Sequence, residues 1–117
     1  MILDDKGGKT INYDIAVQIY EAMKSGDKVL RLQVMRTAIR YCNIRAEWNF
    51  LTVQERLEAD KQRTIAHNAV IDAVNVLSRS MGKSGQDNEW RRLLTDDRKI
   101  IGDFACLLVA HLGILAR

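Results

Sequence analysis

The chain has no proline in 117 residues. That absence constrains the fold most, because no helix interior meets a missing N–H or a ring clash, and the apolar residues recur every three or four positions. No run alternates apolar and polar residues long enough to form a strand, and no repeat or low-complexity tract interrupts the pattern. The expectation is an all-α fold punctuated by glycines.

Ile15, Ile19, Tyr20 and Met23 share one face of a first helix near residues 11–25, capped by Thr10 or Asn12 and ended by Ser25-Gly26. A second helix runs from Asp27 to about Trp48. Leu30, Val34, Met35, Ala38, Ile39, Tyr41 and Cys42 fill one broad apolar side, and Gln33, Arg36, Arg40, Asn43 and Glu47 line a wet, basic one. Thr52-Val53-Gln54-Glu55 has the form of a capping box, in which threonine accepts from the third amide and glutamate reaches back to the cap. From there a stripe of Leu57, Ile65, Ala66, Val70, Val74, Leu77 and Met81 predicts a third helix that ends at Gly82. The stretch 82–87 reads as a loop. A short amphipathic segment, Glu89–Leu94, follows and turns Trp90, Leu93 and Leu94 inward. Thr95 or Asp96 then caps a last helix that is apolar almost all round, so it belongs at the centre of the fold or at a subunit contact.

Four main helices plus one short helix pack most simply as an antiparallel bundle in a single domain, residues 1–117, with 1–9 as a frayed arm. With 47% hydrophobic residues the chain can bury a core of its own, which excludes intrinsic disorder. Ile100–Ala116 is 17 residues long and contains Asp103 and His111, short of the roughly 20 apolar residues that span a bilayer. No membrane partner is expected. The N-terminus lacks the basic and apolar regions of a signal peptide. Cys42 and Cys106, 64 positions apart, form no paired motif, so the expectation is reduced thiols and a cytoplasmic protein.

Gly7-Gly8-Lys9-Thr10 and Gly82-Lys83-Ser84 imitate a phosphate loop but have Leu3 and Leu77 where its first glycine belongs. Neither His67 nor His111 has a second histidine or cysteine at metal-ligand spacing. No metal and no cofactor is expected. Gly102, Cys106, Ala110 and Gly113 make a small-residue strip on the last helix, suited to a close helix crossing within the chain or at a dimer seam.

Two polar clusters lie on the third helix. At about 100° per residue, Asn68, Asp72, Asn75 and Arg79 fall within about 60° of one another, a surface stripe whose amides and charges can bridge each other or meet a second helix. Arg63 and His67 sit one turn apart beside the apolar stripe. Asp103 is the only acid within the apolar part of the last helix, where an unpartnered carboxylate would be costly. A cross-helix contact of Asp103 with Arg63 or His67 is therefore expected, serving as a structural latch, an anion site or a proton-transfer couple. On the second helix, Arg36 and Arg40, with Lys28, Arg31 and Arg45 nearby, offer a basic face that could follow nucleic-acid phosphates. Aromatics for base stacking are scarce, and net charge is only +3.

The pair Arg63 and His67 resembles the Arg/His pair that helical endoribonucleases place at a dimer interface, although three residues intervene here and four to six in that family. The resemblance implies RNA cleavage. Arg63-Thr64, His67-Asn68, Ile71-Asp72, Asn75 and Arg79, followed by Asp97-Arg98-Lys99 and Ile101-Gly102-Asp103-Phe104, resemble a small uncharacterised family of bacterial and mobile-element proteins over residues 55–110. That likeness implies a bacterial helical protein and transfers no site. The first expectation is a non-enzymatic protein with no catalytic residue, acting by protein–protein association, with a homodimer among the options. The alternatives are a nucleic-acid-binding accessory protein and an Arg/His ribonuclease.

Overall fold

A computed structural model describes residues 2–3, 9–82, 89–95 and 97–116. It contains α1 (Tyr13–Met23), α2 (Lys28–Trp48), α3 (Val53–Ser80), α4 (Glu89–Thr95) and α5 (Arg98–Leu115). Within the expected arm, β1 (Ile2–Leu3) and β2 (Lys9–Thr10) form a two-residue antiparallel pair, with Ile2 opposite Thr10. The class is all-α.

Side-chain caps set the helix starts. Asn12 accepts from the Ile15 amide at 2.9 Å and Asp27 from the Leu30 amide at 3.0 Å. The capping box is complete: Thr52 Oγ1 accepts from the Glu55 amide at 3.1 Å, and the Glu55 carboxylate accepts from the Thr52 amide at 2.9 Å. These bonds hold the Glu55 carboxyl below its ordinary range. At the other end of α3, Gly82 has φ +62°, the left-handed geometry that a residue with a Cβ resists. Residues 83–88 of the expected loop lie outside the described residues.

The start of α5 differs from the expectation. Asp97 is its cap, accepting from the amides of Lys99 at 2.8 Å and Ile100 at 3.4 Å. Thr95 closes α4 instead, because its hydroxyl donates to the Arg91 carbonyl at 2.8 Å. Asp96 lies outside the described residues.

α5 is the central element, in contact with α1, α2, α3 and α4. Its Ile100, Ile101, Phe104 and Leu108 are fully buried with Val34 of α2, Val70, Val74 and Leu77 of α3, and Leu94 of α4. At the far end of α5, His111 Nδ1 meets the Tyr13 hydroxyl at 2.7 Å and the ring takes Tyr13 and Tyr20 edge-on, which fastens α1 to the bundle. The small-residue strip makes a close crossing only at Gly102, where an added Cβ would lie 2.9 Å from Arg45 Nη1 and 3.1 Å from Tyr41 Oη. Gly113 meets nothing within 4 Å. The turn from α2 to α3 leaves Phe50, Val53 and Leu57 exposed, at 88%, 76% and 69%.

Candidate functional site

Two turns of α2, two of α3 and the first turn of α5 enclose a cavity of about 220 Å³. Tyr41 and Arg45 line it from α2, Arg63, Thr64 and His67 from α3, and Arg98, Lys99 and Gly102 from α5. Four of these side chains are cationic and none is acidic. The amino end of α5 borders the cavity, with its Lys99 and Ile100 amides taken by the Asp97 carboxylate.

His67 is 4% exposed, yet it is a polar residue inside the core. Its Nε2 lies 2.9 Å from the Arg98 carbonyl, which can only accept, so this nitrogen carries the proton and donates. The Tyr41 ring stands edge-on at 5.3 Å and fixes the imidazole from the α2 side. Nδ1 is buried with no protein partner. Arg63 lays its guanidinium over the Trp48 ring at 4.8 Å, a cation–π contact that orients the side chain, while its Nε is likewise buried without a partner.

The expected contact of Asp103 with Arg63 or His67 is corrected. Asp103 Oδ1 accepts from Arg45 Nη2 at 2.8 Å, across the α2–α5 crossing. The reason is the register at Gly102, which brings the end of α2 nearer to Asp103 than α3 comes. Burial would lower the Arg45 pKa, but the hydrogen bond and charge of Asp103 outweigh it and raise it. Arg63 and His67 thus share the cavity, and Asp103 reaches it only through Arg45. Among its cationic members, Arg45, Arg98 and Lys99 are the ones that the sequence alone did not assign to this site. For Arg45 the signal was present: it follows the apolar-side Tyr41 by four residues, one turn of helix.

The other candidates lie elsewhere. Arg36 and Arg40 are exposed, and nine residues at about 100° each place Arg45 on the opposite side of α2 from Arg36. Along α3, Asn75 Oδ1 accepts from Arg91 Nε of α4 at 2.8 Å and Asn68 Oδ1 from Arg98 Nη1 of α5 at 3.5 Å. The amides of this stripe therefore meet neighbouring helices. Asp72 borders a separate groove beside Gln33 and Thr37, and among the described residues no ion pair joins it to Arg79, whose Nε donates to the Asn75 carbonyl at 3.3 Å.

Among the described residues no three histidines, cysteines or acids are placed to hold a metal ion, and no helix is long and apolar enough to cross a membrane. Compared with known proteins, the chain matches no family model, no curated protein and no solved structure.

Proposed function

We propose that the protein binds a phosphate-bearing ligand in the cavity between α2, α3 and the start of α5. One observation carries the reading: Arg63 Nε and His67 Nδ1 are buried, unpartnered polar atoms among residues that line a cavity whose charges are all positive. Each such orphan costs about 1–3 kcal/mol, and a partner from outside the chain removes that cost. A phosphate group has the oxygens and the charge to accept from Arg63 Nε, and in its protonated form a hydroxyl to donate to His67 Nδ1. The Arg63 guanidinium donates to its oxygens, Arg98 and Lys99 screen its charge at the mouth, and His67 Nδ1 accepts from a protonated phosphate hydroxyl.

Calorimetric titration of the full chain with inorganic phosphate, a nucleoside monophosphate and a single-stranded oligonucleotide tests this and separates a free phosphate ligand from a nucleic acid. Binding is expected to fall at least tenfold in Arg63→Ala and to persist in the double variant Arg36→Ala, Arg40→Ala. The reverse ranking would move the site to the exposed face of α2 and overturn the reading. Cleavage of an RNA oligonucleotide that disappears in His67→Ala would make the same cavity a ribonuclease site.

A second reading, self-association, is supported by Phe50, Val53 and Leu57, which stand clustered and exposed at the α2–α3 turn. Two copies meeting through this patch would form an isologous dimer. Light scattering from micromolar to millimolar concentration tests it, and a constant monomer mass, unchanged by Phe50→Ser, would remove it. We further propose a bacterial cytoplasm as the setting, a reading supported by two free thiols.

A further inference from the structure

Cys42 and Cys106 are remote in sequence and neighbours in space. Arg45 and Asp103 pair across α2 and α5, and stepping one turn away from them, back along α2 and forward along α5, leads to Cys42 and Cys106. This is the register of two antiparallel helices. The same register sets Cys42 of α2 facing Cys106 of α5, and both residues are half-buried, so small reagents can approach them. Beside them, Gly102 lets the helices come close enough that an added Cβ would strike Arg45 and Tyr41. A disulfide requires such proximity, with Cα atoms usually about 4.4–6.8 Å apart.

We propose that Cys42 and Cys106 form a redox site that a hydroperoxide oxidises to a disulfide linking α2 to α5. The proposal is independent of phosphate binding. In the first step the Cys106 sulfur, as thiolate, attacks the terminal oxygen of the peroxide. The O–O bond breaks, the proton released by the thiol goes to the departing oxygen, and Cys106 becomes a sulfenic acid. In the second step the Cys42 sulfur attacks the sulfenic sulfur. An S–S bond forms, the S–O bond breaks, and the hydroxide takes the Cys42 proton and leaves as water. Overall, two thiols and one hydroperoxide give one disulfide, one alcohol or water, and one water.

The order of the two sulfurs follows from their surroundings. Burial and the hydrogen bond to Cys106 push the Cys42 thiol up to about 11, so Cys42 keeps its proton and serves as the resolving partner.

The test treats the reduced full chain with hydrogen peroxide, then measures intact mass and maps peptides without reduction. The expected result is a monomer lighter by two hydrogens, with a Cys42–Cys106 cross-linked peptide that a dithiol reductant releases. In Cys42→Ser, Cys106 is expected to stop as a sulfenic acid that a cyclic diketone traps. In Cys106→Ser, Cys42 is expected to stay reduced at the same dose. Oxygen added to separate cysteines without a cross-link, disulfide only between chains, or thiols that remain reduced would each overturn the proposal. The wild-type peptide map decides alone if either variant fails to fold.

Discussion

Replacing Asp103 by alanine should move stability and ligand affinity in opposite directions. Its carboxylate holds Arg45 at 2.8 Å, with side-chain exposures of 28% for Asp103 and 35% for Arg45. A hydrogen bond to a charged group contributes about 1.5–3 kcal/mol when buried, and an exposed ion pair about 0.2–1 kcal/mol. The intermediate exposure here places the loss near 1 kcal/mol, a fall of about 5 °C in Tm for a domain of this size. Deleting the acid also removes the negative charge that offsets Arg45 at the cavity wall. At a separation of about 8 Å and an effective dielectric of about 40, one unit charge contributes about 1 kcal/mol, so phosphate affinity should rise several-fold. Thermal melts followed by circular dichroism give the first quantity and calorimetric titration gives the second. In an Arg45→Ala background the stability effect of Asp103→Ala should vanish, because the pair is already gone. Unchanged Tm would refute the ion pair's structural role. Weaker phosphate binding in Asp103→Ala would refute the claim that Arg45 belongs to the cavity.

Phe104→Ala should be the severest single core change, about 3–5 kcal/mol by chemical denaturation, because the ring is 0% exposed at the centre of the central helix. Acid titration of stability should distinguish Glu55→Gln from wild type. The folded-state pKa of Glu55 is depressed, so its contribution is present above the ordinary carboxylate range and is lost as pH falls through the folded value; the glutamine variant should lack that part of the acid slope. At alkaline pH the sign reverses for Cys42. Its pKa rises from 9.0 to about 11 on folding, so the unfolded chain loses that proton first and stability declines between those values; urea melts of Cys42→Ala should show a shallower decline.

Local chemistry made most of the helices legible. α3 was readable from end to end because Thr52, Glu55 and Gly82 act within a few residues of themselves, and no tertiary contact can reassign them. The α5 cap was ambiguous among adjacent polar residues, and it was decided by the Thr95 hydroxyl binding within α4. Arg63 and His67 stood out because they lie one turn apart at the border of the apolar stripe. The counterion of Asp103 did not, since that choice depends on which helix crosses at Gly102, a fact of packing that no window of sequence holds. The unexpected nearness of Cys42 and Cys106 has the same origin: a shared register between two helices is invisible until their crossing is known.

The imidazole of residue 67 grips main chain rather than side chain at residue 98. Evolution can therefore exchange Arg98 for nearly any other residue and leave the joint between α3 and α5 intact, whereas no change at 98 short of rerouting the backbone can compensate a lost histidine. The mouth of the cavity is free to vary while its floor is pinned, an arrangement that lets selectivity drift without loosening the scaffold beneath it.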